Sequence, residues 1–155
     1  MIPKRILFVC TGNSCRSVMA QGLLQHKLKA ADLGVVQVES AGVYAIHGMP
    51  ASRETQRVML ALGIDCSTHR SRMLTSEMIR GADLILAMEQ FQVEEIKARE
   101  PAASGKTHLL KTHGLPEHSP EDPNIPDPIG KPLEVYEVCL SEIREAIERL
   151  VKILK

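Results

Sequence analysis

Cys10 and Arg16 bracket the segment Cys10-Thr11-Gly12-Asn13-Ser14-Cys15-Arg16-Ser17. A backbone of this length can curl so that several N–H groups converge on one point. Gly12 and Asn13 are residue types that tolerate the left-handed conformations such a curl requires. A helix beginning at its end directs its positive pole at the same point. Arg16 adds a planar fork matched to two oxygens of a tetrahedral anion. The Cys10 sulfur then lies at the floor of the cup, where the positive field favours the thiolate. Such a site binds a phosphoryl group and holds a nucleophile beneath it. Spacing alone carries little weight, because Cys66 and Arg72 repeat it. That second pair lacks a glycine, a clear preceding strand and an obvious following helix.

A departing group also needs a proton. Two Asp-Pro pairs, Asp122-Pro123 and Asp127-Pro128, lie in one proline-rich stretch. A carboxyl from either can reach the cup if the stretch folds back, and the residues themselves do not choose. Cys15 has two readings of equal standing. It is five residues from Cys10 in one curled loop, so a disulfide would protect the nucleophile from irreversible oxidation. Otherwise it is a small residue packed behind the loop.

The surrounding sequence supplies elements to position these groups. Residues 5–10 form a buried strand that ends in a turn. Residues 17–30 form a helix, 35–38 a second strand and 52–62 a helix closed by Gly63. A short helix over 75–79 precedes a third strand over 82–88 and a helix over 90–99. Residues 107–110 form a weaker fourth strand. Residues 112–132 contain six prolines and form a long loop. Residues 133–154 carry one apolar stripe, the mark of a terminal amphipathic helix. Alternating strands and helices predict an α/β fold, a single-domain three-layer sandwich with a four-stranded parallel sheet flanked by helices. Ligands of such sheets bind beyond the carboxyl ends of the strands. A loop as long as 112–132 is often functional.

Composition excludes several alternatives. The 155 residues fit one domain, 1–155. Nineteen basic and nineteen acidic residues balance, so no basic surface recruits nucleic acid. Two Phe, two Tyr and no Trp leave the core to aliphatic side chains. No apolar run approaches the roughly 18 residues of a membrane span, and no signal-peptide core forms. The four cysteines therefore read as thiols of a cytoplasmic protein.

The segment 9–17 resembles the signature of the low-molecular-weight phosphatases. That family includes protein tyrosine phosphatases, protein arginine phosphatases and thiol-dependent arsenate reductases. The likeness extends through Ser40-Ala41-Gly42, the segment 65–70 with Leu74-Thr75, Ala82-Asp83-Leu84 and Pro126-Asp127-Pro128. It implies that Cys10 is the nucleophile, Arg16 the oxyanion clamp and Asp127 the general acid. It leaves Asp122 as a solvated loop acid. Thr11, Gly12, Asn13, Ser14, Cys15 and Ser17 become the phosphate-binding loop. Asn13, Ser17, Ser40 and His69 match positions that tie that loop down, with Ser17 also easing loss of the thiolate from phosphocysteine. Tyr44 and Ile129 become walls for the substrate. The resemblance implies metal-free hydrolysis, without cofactor, of a phosphorylated protein by a monomer.

Departures from the family pattern bear on specificity. Val18 replaces a frequent proline, which alters only the helix start. Ile129 stands where tyrosine phosphatases often carry an aromatic residue. Ser14 occupies a position that is aliphatic in tyrosine-specific members and threonine in arginine-specific ones. Phosphotyrosine is the expected substrate, with phosphoarginine as the alternative. Arsenate reduction needs two further cysteines near the end of the third strand, and residues 88–106 contain none. An inactive anion-binding module is the remaining alternative. Ser104-Gly105-Lys106-Thr107 echoes a nucleotide-binding loop, but Glu100 stands where a glycine is required. His108, His113 and His118 are evenly spaced without a matching thiolate or carboxylate set, so they read as exposed histidines and not metal ligands.

Overall fold

The computed structural model describes residues 2–116 and 121–155. Strand β1 spans Arg5–Cys10, and every residue after Arg5 in it is buried. Its unbroken run of apolar residues follows from its central place, with neighbours on both edges and helices on both faces. β1 pairs in parallel with β2 (Gln37–Gly42) and with β3 (Leu84–Ala87). β3 pairs in parallel with β4 (Thr107–Leu109), giving the order β2-β1-β3-β4. Strand order reverses at β1, so the crevice beyond its carboxyl end is the expected ligand position. Cys10 is its last residue.

Side-chain alternation divides the core. Ile6, Phe8 and Cys10 pack towards α1 (Arg16–Ala30), α2 (Arg53–Leu60) and α5 (Leu133–Leu154). Leu7 and Val9 point oppositely, towards α3 (Ser76–Gly81) and α4 (Gln90–Arg99). This is the expected three-layer α/β arrangement, with its expected four parallel strands. α5 buries Cys139, Ile143, Ile147, Leu150 and Leu154 of the predicted stripe, but Val135 and Val138, also expected on it, are exposed, and Tyr136 is buried in the first turns instead.

Several boundaries differ from expectation, β3 among them, which spans only Leu84–Ala87 of the expected 82–88. β2 begins at Gln37 and continues through Ser40-Ala41-Gly42, which has the composition of a turn. Pairing with Phe8–Cys10 overrides that local preference, while Val35 is 86% exposed. α2 is shorter than 52–62: Ser52 is its cap, its hydroxyl accepting from Thr55 N, and the chain turns before Gly63 at φ 78°. Pro101–Lys106 forms a 3₁₀ helix that no apolar periodicity in the sequence marks.

Candidate active site

The backbone after β1 turns sharply at Asn13, whose φ is 54°. Gly12 does not take the left-handed conformation expected of it; among the loop residues Asn13 alone carries it. Asn can adopt it because its short polar side chain bonds locally. Glycine is required instead at Gly42, across from Cys10 in β2. A Cβ there would lie 2.4 Å from Thr11 O and 2.9 Å from Asn13 N. The loop therefore rests directly on bare backbone.

Asn13 organises a directed set of hydrogen bonds. Its Oδ1 accepts from Arg72 N at 2.9 Å, which fixes the amide orientation. Its Nδ2 then donates to Ser17 Oγ at 2.8 Å and to Ser40 Oγ at 2.9 Å. Ser40 donates onward to Gln21 Oε1. Ser17 keeps its own hydrogen for Cys10 Sγ, 2.9 Å away. Asn13 N also points at that sulfur, at 3.3 Å. Two donors thus point at Cys10 Sγ.

His69 Nε2 stands 2.8 Å from Asn13 O. A carbonyl only accepts, so this nitrogen carries hydrogen. Burial pushes the imidazole below its ordinary 6.5; the Asn13 contact raises it, and Arg72 and Arg70 lower it further.

The Arg16 side chain is 1% exposed. Its Nη1 pairs with Glu89 and donates to Ile125 O at 2.7 Å. Its Nη2 reaches Thr11 Oγ1 at 3.4 Å and lies 3.7 Å from Asp127 Oδ2. Its Nε is buried and has no partner among the described residues. The unfilled donor lies on the Nε–Nη2 edge, the edge a guanidinium uses to grip two oxygens. The first turn of α1 has no side-chain cap and no acidic residue, so its N–H groups are also free of local acceptors.

The two loop acids separate. Asp127 Oδ1 accepts from Ile129 N at 3.1 Å, which leaves Oδ2 facing Arg16. Asp122 Oδ1 accepts from Asn124 N at 3.0 Å, and Asn124 in turn accepts from Gln90 N. Asp122 props the loop against α4. Tyr44 adjoins the cup through its N–H, which donates to Thr11 O at 3.0 Å. Tyr44 and Ile129 are 62% and 52% exposed, so both faces are free. Ser14 is half-buried, with its Oγ 3.6 Å from Cys15 Sγ.

Cys15 is a free thiol whose sulfur is 3.4 Å from Ser52 Oγ and 4.0 Å from Tyr136 Oη. Burial, and then the neighbouring Cys15, push the Tyr136 phenol up to about 12. Cys66 and Cys139 are likewise buried free thiols. Burial raises both, Cys139 to about 12. Arg72 opens no helix; its guanidinium donates to Ser40 O. Lys106 donates to the carbonyls of Arg80 and Ala82, a structural tie. The His108 and His113 rings lie 4.8 Å apart and are half-buried rather than exposed, while His118 lies outside the described residues. Among the described residues, no group of three or more His, Cys, Asp or Glu side chains is placed to hold a metal ion. None of the described helices is long and apolar enough to cross a membrane.

Glu89, Gln92, Gln21 and Arg72 join the site without a motif in the sequence that marks them. One signal exists for Glu89: an acid directly after the third strand, at the head of a helix.

Residues 5–155 match the family described as low molecular weight phosphotyrosine protein phosphatase. The chain is 42% identical to a protein-arginine-phosphatase of Geobacillus stearothermophilus over 99% of this chain and 98% of that one. It is 40% identical to the probable low molecular weight protein-tyrosine-phosphatase EpsP of Ralstonia nicotianae, over 96% and 94%. The solved YwlE arginine phosphatase from Geobacillus stearothermophilus superposes with a TM-score of 0.87 at 43% identity, covering 98% of this chain and 93% of that one. A family match from the first strand to the last residue leaves one assignment: the chain belongs to the low molecular weight phosphotyrosine protein phosphatases.

Proposed function

We propose that the chain hydrolyses phosphorylated protein, phosphotyrosine first, through a phosphocysteine intermediate. The observation that carries this reading is the unpaired, buried Nε of Arg16 in the loop that holds Cys10. A phosphoryl oxygen there would complete the guanidinium's bonding.

In the first step Cys10 Sγ attacks phosphorus. The bond from phosphorus to the leaving oxygen breaks, and Asp127 gives that oxygen its proton. In the second, Asp127 takes a proton from water while the water oxygen attacks phosphorus. The S–P bond breaks and phosphate departs. Ser17 O–H and Asn13 N–H stabilise the returning thiolate. Thr11 through Ser17 hold the phosphoryl oxygens; Ser40 and His69 hold Asn13. Tyr44 and Ile129 flank the substrate.

Every group in this scheme comes from one chain, which supports action as a monomer. Free cysteines and a thiolate nucleophile suit a reducing, cytoplasmic setting. Ser14 favours phosphoarginine as the second substrate, since a hydroxyl at this position of the phosphate-binding loop can position a polar phosphoramidate or its attacking water.

Turnover of p-nitrophenyl phosphate that survives chelators and is abolished by Cys10→Ser is expected. Phosphate binding without turnover would mark an anion-binding module instead. Phosphotyrosine and phosphoarginine peptides, compared before and after Ser14→Ile, separate the two substrates. An unchanged preference would remove Ser14 from the specificity argument.

A further inference from the structure

Gln92 is fully buried at the head of α4, and the scheme above makes no use of it. Its Oε1 accepts from the backbone amides of Met88 and Glu89, both at 2.9 Å. Those two bonds fix the amide, so Nε2 must face Thr11 Oγ1, to which it donates at 3.1 Å. Gln92 is therefore bonded to both residues that flank the Arg16 guanidinium, Glu89 on Nη1 and Thr11 on Nη2.

A threonine hydroxyl has two acceptor positions and one hydrogen. At Thr11, Gln92 Nε2 and Arg16 Nη2 are both donors and occupy the acceptor side. The hydroxyl hydrogen has no acceptor among the described residues. We propose that Gln92 is a positioning residue that turns the Thr11 hydroxyl into a donor towards the bound phosphoryl group. The contacts run from the amides of Met88 and Glu89 to Gln92, from Gln92 to Thr11, and from Thr11 to Arg16. The inference rests on the phosphatase reading for its ligand, but it can be tested by phosphate binding alone.

Gln92→Glu is the informative variant. It keeps an oxygen for the Met88 and Glu89 amides but replaces the donor facing Thr11 with an acceptor. The Thr11 hydrogen then turns to the new carboxylate and away from the phosphate. Inorganic phosphate binding is measured by calorimetry, alongside kcat and KM for p-nitrophenyl phosphate. Gln92→Glu and Thr11→Val should each weaken phosphate roughly tenfold, the scale of one hydrogen bond to a charged group. The double variant should lose no more than the worse single one, because both act through the same hydrogen. Thr11→Ser should restore affinity to within about twofold.

Wild-type phosphate affinity in Gln92→Glu overturns the proposal, as does a double-variant loss equal to the product of the single losses. If Gln92→Glu does not fold, Thr11→Val against Thr11→Ser decides: equal phosphate affinities overturn it. A wild-type chain that binds phosphate without turnover defeats the phosphatase reading alone and leaves the binding test intact.

Discussion

The His69 ring nitrogen meets the carbonyl of Asn13 at 2.8 Å, at the one loop residue with a left-handed backbone. The contact holds a carbonyl that a right-handed backbone would present elsewhere.

Burial of that ring makes stability sensitive to acid, and the Asn13 contact opposes the effect. The folded His69 binds its proton less readily than the unfolded one, with burial as the main cause. Unfolded chains therefore take up protons first as pH falls below the ordinary 6.5, and stability declines down to the folded value. His108 and His113 act in the same direction. Urea unfolding between about pH 7.5 and 5 should show this decline, and His69→Gln should make it shallower without abolishing it. An unchanged slope would remove His69 as a contributor.

Ser17→Ala should affect the second chemical step more than the first. The variant removes the hydroxyl that donates to Cys10 Sγ. A thiolate leaving without that donor is disfavoured by about 1.5–3 kcal/mol, roughly tenfold to a hundredfold in rate. Rapid mixing should reveal a burst of p-nitrophenol close to the enzyme concentration, followed by slow turnover. A lower rate with no burst would place the effect before the intermediate.

Asp127→Ala and Asp122→Ala should diverge. Asp127 presents Oδ2 to Arg16, whereas Asp122 bonds Asn124. Loss of a general acid costs roughly a hundredfold to ten-thousandfold. The Asp127 loss should grow with leaving-group basicity across aryl phosphates. Asp122→Ala should stay within about twofold, as expected of an acid that only props a loop. A flat dependence for Asp127→Ala would exclude it as the acid.

Gly42→Ala tests the seat of the loop. The added methyl would meet Thr11 O and Asn13 N, neither of which is a flexible side chain. Overpacking of this kind costs about 1–3 kcal/mol. Phosphate affinity should fall together with melting temperature. Wild-type values for both would show that the loop has room to move.

Local features are readable in the residues. Cys10, Arg16 and the strand-loop-helix context share one short segment, and Leu133–Leu154 announces itself by its apolar stripe. Gly12 misleads, because Asn13 carries the turn. β2 hides its true extent, because its small and polar residues form strand only through pairing with β1. Glu89 and Gln92 approach the loop from 73 and 81 positions away, and no local pattern encodes such meetings. The choice between Asp122 and Asp127 depends on which way the proline-rich stretch folds, and residue type carries no cue for that.

Ile125 O meets Arg16 Nη1 across 109 positions of chain, and Asp127 arrives on the same segment. Two residues of one short segment therefore converge on a single guanidinium. Any movement of residues 125–127 would take an acceptor and a carboxylate from Arg16 together, so the setting of that side chain is coupled to the course of the proline-rich stretch.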